Sequence, residues 1–277
     1  MLALPPAEGR EHRFPAIERW LARADLVRAP GVGEEWLLAQ WGLDLAAPLA
    51  ALTLLGETGK APGGWLRADP VHQQVVRHAT LLHGDSVLRL SRDEADTAIA
   101  ALNRFFASDG LVFQAPEPGR WYIALGDRAP PITTPIERLS GTNPFGHLPE
   151  GNDRAFWRRV FSEAQMLLAD LPFNAQREAA GRPTLNGIWL WGGGALPASL
   201  LRPFARVYAN TPLARGLALL SDTKTEPLPV ALDAVAPSPG EALVALDALP
   251  APTHTRDSED WLQAARELES RWCRIAA

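Results

Sequence analysis

The chain has 277 residues, 47% of them hydrophobic and 21% charged, which allows one large domain or two small ones around a real core. A formal net charge of −5 excludes a global basic field of the kind that draws a protein to nucleic acid, and a lone cysteine, Cys273, excludes an internal disulfide and a multi-cysteine zinc site. The opening stretch MLALPPAEGREHRF has no basic region followed by an apolar one, and no run approaches the ~18 apolar residues of a membrane helix, so the expectation is a soluble cytoplasmic protein.

In chain order, AIERWLARADLVR places Ile17, Trp20, Leu21 and Ala24 at helical spacing, and EEWLLAQWG is a second short amphipathic stretch closed by Gly42. LAALTLLGE, Leu49 to Glu57, reads as a buried strand followed by the polar turn TGKAPGG, and DSVLRL, Asp85 to Leu90, as another strand. SRDEADTAIAALNRFFASDG predicts a helix, because Ser91 and Glu94 match a capping box and Gly110 marks a stop. LVFQA and RWYIAL are two strands joined by the turn PEPG. A proline-rich connector then leads to a long helix, DRAFWRRVFSEAQMLLAD, and a shorter one, FNAQREAAG.

GIWLW reads as a buried strand running into a glycine turn, followed by a helix-and-turn region, a second proline-rich stretch, the strand EALVALDAL and a final helix from Ser258 to Arg274. The alternation predicts an α/β fold, a mixed sheet flanked by helices. Three parts are expected: residues 1–64 as a helical segment with the first core strand, 65–127 as a small α+β unit, and 128–277 as a C-terminal α/β part.

The unusual chemistry lies in RPTLNGIWLWGGGALP, Arg182 to Pro197. In a strand Trp189 and Trp191 share a face, and Gly192, Gly193 and Gly194 permit a tight turn or a close backbone approach. Two readings stay open: core rings beneath a helix, or a strand end that offers backbone N–H groups to a phosphate or carboxylate. The spacing is not that of a P-loop. Upstream, Arg177 and Arg182 would bind an anion by charge-assisted bonds; alternatively Asn174 caps its helix after Pro172 and the arginines pair with Glu178 or face water.

RADPVHQQVVRHATLLHGD clusters Arg67, Asp69, His72, His78 and His83 as a candidate metal or acid–base site. The histidines are six and five residues apart, which matches no helical ligand pair, so a local turn with solvent-facing rings is the alternative. Cys273 has no basic neighbour in sequence and no G-x-S-x-G elbow occurs, leaving nucleophilic catalysis without an anchor.

LPFNAQREAAGRPTLNGIWLWGGG resembles the segment of archaeal-type, cofactor-independent phosphoglycerate mutases in which an Asn and an Arg precede Asn-x-Ile-Trp-Leu-Trp-Gly-x-Gly. WLRADPVH, the helix and two strands from Leu90 to Leu125, and HLPEGNDRAFWRRVFSEAQMLL are similar to family segments in the same order, so the likeness covers mainly residues 65–197. The whole chain is similar also to bacterial RpfE-type regulatory proteins, themselves phosphoglycerate mutase-like, which share WLRADPVH, RWY, HLPEG and Trp-x-Trp-Gly-x-Gly.

The resemblance implies a reduced alkaline-phosphatase-like core with a small α+β insert. In the mutases the chemistry needs two divalent metals and a hydroxyl nucleophile. Here the N-terminal segment has no Asp-Gly metal pair, and Asp247, His254 and Asp257 stand in no recognisable ligand spacing, so no metal and no cofactor are expected. The implied protein is a non-catalytic regulatory or binding relative. Its expected ligand is a small phosphorylated or carboxylated metabolite, held by Asn174, Arg177, Arg182, Asn186, Trp189, Trp191, Gly192, Gly193, Gly194, Arg67 and His72. A protein partner is the other expectation, with neither nucleic acid nor membrane. The alternative is a phosphate-ester enzyme with a reduced site of Asp69, His72 and His83.

Overall fold

The computed structural model describes residues 13–23, 33–77, 79–139, 143–237, 239–247 and 258–274. Two compact units emerge, named here for their place in the sequence: a central unit, Leu45–Ala198, and a terminal unit made of Met1–Asp44 with Ser199–Ala277. The boundaries drawn from sequence after residues 64 and 127 both fall within the central unit.

In chain order, α1 (Pro15–Arg23) and α2 (Gly33–Gln40) belong to the terminal unit. The central unit holds α3 (Leu49–Thr58), β1 (Gly64–Val76), β2 (Ala79–His83), α4 (Asp85–Leu88), α5 (Arg92–Phe105), β3 (Val112–Glu117) and β4 (Arg120–Ala124). It continues with α6 (Arg154–Ala169), α7 (Phe173–Ala179) and β5 (Gly187–Ala195). The terminal unit resumes with β6 (Arg206–Ala209), α8 (Pro212–Leu220), β7 (Lys224–Glu226), β8 (Ala242–Ala245) and α9 (Ser258–Leu268), which runs into a π-helical turn, Glu269–Cys273.

β1 is the spine of the central unit. Its first half runs antiparallel between β4 and β5, its second half pairs with β2, and β3 extends the sheet beyond β4. This register sets Arg67 opposite both Tyr122 and Trp191, Asp69 opposite Trp189, and His72 opposite His83. α3 lies against β1 and β5, α5 against β3, and α6 against β5. Ala50, Ala51, Leu54, Trp65 and Tyr122 form one core cluster, in which each large side chain contributes about 1.5–3 kcal/mol by leaving water.

The α5 helix starts where expected: Ser91 accepts from Glu94 N–H while the Glu94 side chain accepts from Ser91 N–H, and the chain turns away at Gly110 with φ +69°. LAALTLLGE is not a strand but helix α3. Leu49 through Leu54 are all buried, so the run has no polar face and shows no helical period. DSVLRL is likewise a helical turn, ended by Arg89 at φ +45°. The glycines after Trp191 do not leave the sheet in a turn; β5 continues to Ala195, pairing Gly194 with Trp65 and Ala195 with Gly64 around a bulge.

The terminal unit is built on a parallel three-stranded sheet, β7-β6-β8. Trp41 Nε1 donates to Ser221 Oγ at 3.0 Å, and the buried Glu269 carboxylate accepts the backbone N–H groups of Ala16 and Ile17 at 2.9 and 2.8 Å, so it caps α1 from across the sequence. One antiparallel and one parallel sheet, each with its helices, make an α/β fold as the alternation of elements predicts, with the strands divided between two sheets rather than gathered in a single mixed one. No helix among the described residues is long and apolar enough to cross a membrane.

Candidate functional site

Arg67 and Asp69, two apart on β1, project to the same face. The Arg67 guanidinium grips the carboxylate through Nη2, 2.7 and 2.8 Å from the two oxygens, and through Nε at 3.0 Å. Its planar group lies against the rings of Trp191 and Tyr122, with centroids at 5.0 and 5.1 Å. Trp191 Nε1 donates to the second Asp69 oxygen at 2.7 Å. Tyr122 donates its hydroxyl toward Thr53 Oγ1 and Glu57 Oε2, each at 3.1 Å, and Glu57 in turn pairs with Arg120.

Only 6% of Arg67 and 5% of Asp69 is exposed, so the pair is closed to solvent. Burial works against the Arg67 charge, but the Asp69 carboxylate holds the guanidinium protonated above its ordinary range. Burial pushes the Tyr122 hydroxyl up, which keeps it a neutral donor.

A second buried group joins α7 to its surroundings. Asn174 does not cap α7; its Nδ2 donates to Leu168 and Leu185 carbonyls at 2.8 Å, and its Oδ1 accepts from Leu185 N–H at 2.8 Å. Arg177 is 1% exposed. It donates to Pro183 O at 2.6 Å, to Glu94 Oε2 at 2.8 Å and to Leu88 O, so its acidic partner is Glu94 rather than Glu178. Arg182 stays about half exposed, 3.2 Å from Arg89 O and 3.9 Å from Glu94. Asn186 reaches across to Gln73, accepting from its N–H at 2.7 Å and donating to its carbonyl at 3.0 Å, as an extra rung of the sheet.

The glycines owe their identity to close packing. A Cβ on Gly192 would sit 3.1 Å from Leu49 Cβ, one on Gly193 2.8 Å from Pro130 Cβ, and one on Gly194 2.9 Å from Pro48 Cβ. Side chains of the chain itself, rather than an anion, occupy the space beside them. Trp189 donates to Thr134 O at 2.8 Å and stands edge-on to Phe161.

His72 and His83 are cross-strand neighbours on β1 and β2. Their rings stack with centroids 6.2 Å apart; His72 Nδ1 bonds Thr184 O at 2.8 Å, and His83 Nε2 bonds Gln74 Oε1 at 3.1 Å. Burial, then the His72 charge, lowers the His83 pKa. Asp69 and His72 are three apart on a strand and therefore on opposite faces, so the reduced site of Asp69, His72 and His83 does not assemble. Asp247 is exposed beyond β8, while His78, His254 and Asp257 lie outside the described residues. Among the described residues no three His, Cys, Asp or Glu side chains converge to hold a metal.

Tyr122, Thr53, Glu57 and Glu94 are members of these clusters that the sequence did not single out as such. For Glu94 a signal existed, the capping box, but nothing local tied that box to Arg177, 83 residues away.

No protein-family model matches the chain. Among solved structures, the cofactor-independent phosphoglycerate mutase of Thermoplasma acidophilum superposes with a TM-score of 0.41 at 17% identity, over 88% of this chain and 72% of that one. A Pyrococcus horikoshii protein superposes with a TM-score of 0.44 at 13% identity, over 88% and 70%. In sequence the chain is 23% identical, over 183 residues, to 2,3-bisphosphoglycerate-independent phosphoglycerate mutase 2 of Methanothermobacter thermautotrophicus. That alignment takes in 60% of this chain and 45% of the relative, so the chain spans less than half the length of the curated protein it matches. The sequence similarity to this mutase is distant.

Proposed function

We propose that this distant relative of cofactor-independent phosphoglycerate mutase is a non-catalytic regulatory or binding protein of the RpfE type, with a small phosphorylated or carboxylated metabolite as its ligand. One observation carries the reading. In the very segments behind the likeness, Arg67 and Asp69 are bonded to each other, Arg177 to Glu94 and backbone carbonyls, and Asn174 to backbone groups, so they act as framework. A buried ion pair of this kind recovers its desolvation cost only when both partners stay engaged, which leaves neither free to handle a substrate.

The groups assigned to the ligand are Arg182, whose guanidinium keeps 48% side-chain exposure, and His72, bonded two residues further along at Thr184. Arg182 can donate charge-assisted bonds to anionic oxygens. The test is thermal unfolding with 2- and 3-phosphoglycerate and phosphoenolpyruvate, with and without Mn²⁺. A ligand at ~100 times its dissociation constant adds about 2.7 kcal/mol of stability. The expected result is a shift that needs the phosphate but not the metal, and that is smaller in Arg182→Ala. A shift seen only with Mn²⁺ would contradict the reading, and no shift at all would move the partner to a protein.

A further inference from the structure

In the terminal unit, the start of α1 and the end of α9 border a cleft of about 550 Å³, within the ~300–1,000 Å³ typical of small-molecule sites. Its cationic walls are Arg13, Arg266 and Arg274, with Phe14 as an aromatic side.

The π-helical turn aligns two of these arginines. Arg274 N–H donates to Glu269 O, five residues back, at 3.0 Å. In an unbroken α-helix, residues eight apart are rotated by roughly 80° around the axis. The one extra residue taken up by a π turn removes most of that rotation, so Arg266 and Arg274 stand on the same side.

The acidic residues of the lining, Glu267 and Glu269, each have partners of their own. Glu269, 5% exposed, is held by the N–H groups of Ala16 and Ile17. Glu267 accepts from Gln263 Nε2 at 3.0 Å and lies 3.8 Å from Arg271. Among the described residues Arg266 makes no ion pair or side-chain hydrogen bond, and the Arg274 side chain has one long approach, 3.9 Å to Glu269. The α1 amides are already capped, so the helix N-terminus is not the attraction; the two guanidinium groups are.

We propose that this cleft is a binding site for a small phosphate-bearing molecule, gripped by Arg266 and Arg274. Guanidinium groups approaching from two helical turns match the oxygens of a phosphate, and each supplies paired, charge-assisted donors. The site lies in a different unit from Arg182 and does not depend on the assignment of that residue.

Isothermal titration of the full chain at low ionic strength tests it, with inorganic phosphate, 3-phosphoglycerate and unphosphorylated glycerate as probes. Phosphoglycerate binding, with glycerate silent, is expected; inorganic phosphate binding equally well would identify free phosphate as the ligand. Arg266→Gln with Arg274→Gln should weaken binding at least ~10-fold, as expected for losing charge-assisted bonds, while Arg182→Ala leaves this site intact. Arg266→Lys should retain part of the affinity, and an unchanged unfolding midpoint in each variant separates lost binding from lost folding. Wild-type affinity in the double variant, or no binding of either phosphate probe to the wild type, would overturn the proposal.

Discussion

Trp191 donates its indole N–H to Asp69 at 2.7 Å, from a strand 122 residues away in sequence. The same carboxylate holds Arg67, whose guanidinium lies against the Trp191 ring. The tandem tryptophans therefore have unequal tasks: Trp191 completes a buried ion pair, while Trp189 packs on Phe161 and bonds a backbone carbonyl. Because removing one partner strands the other, Asp69→Ala should cost about 3–5 kcal/mol. Trp191→Phe keeps most of the ring and loses one donor to a charged group, a cost of about 1.5–3 kcal/mol. Urea unfolding of both variants measures these costs. An Asp69→Ala protein as stable as the wild type would show that Arg67 reaches another partner.

Gly192 has φ +66° and faces Leu49 Cβ at 3.1 Å from its would-be Cβ. Alanine there meets a left-handed backbone cost of about 1–2 kcal/mol together with overpacking of about 1–3 kcal/mol. Gly59→Ala is the matched control, with φ +76° and nothing within 4 Å, and should show the backbone cost alone. Equal losses at the two positions would show that the α3 approach to β5 is loose.

Arg177 and Arg182 should separate framework from surface. Arg177→Ala removes the buried partner of Glu94 and should cost about 3–5 kcal/mol, whereas Arg182→Ala should stay within about 0.5 kcal/mol. Chemical unfolding distinguishes them directly. A neutral Arg177→Ala would overturn the framework reading of α7.

Glu94 ties the acid response to the same cluster. Burial favours its protonated form, but the Ser91 N–H and the Arg177 guanidinium outweigh burial and hold the carboxyl below its ordinary range. The folded state therefore takes up this proton less readily than the unfolded chain. Its stabilising contribution is fully present above the ordinary carboxylate pKa and is lost as pH falls through the depressed folded value. Glu94→Gln should be less stable at neutral pH and show a flatter decline in acid. Parallel unfolding midpoints for variant and wild type across the acid range would contradict this.

Much of the fold is legible where the pattern is local. The Ser91–Glu94 box, the 112–124 hairpin and the one-sided apolar face of α6 each follow from neighbours within a few residues. α3 is not legible, because a helix buried all round erases its own period. The glycine run is misread for a different reason: whether it turns or continues is decided by β1, more than 100 residues upstream, and by Pro48 and Pro130 packed against it. The chemically suggestive residues were visible in sequence, but not that they satisfy one another. Arg177 looks like an anion clamp until its acceptors at Pro183, Leu88 and Glu94 are seen.

The central claim, that these segments are framework rather than catalytic machinery, is tested most directly by following ³¹P NMR signals of 2- and 3-phosphoglycerate with the purified chain and excess Mn²⁺. The account predicts no interconversion and no release of inorganic phosphate by the wild type. Turnover that is lost in a folded Asp69→Asn or His72→Ala variant would contradict it and return these residues to an active site.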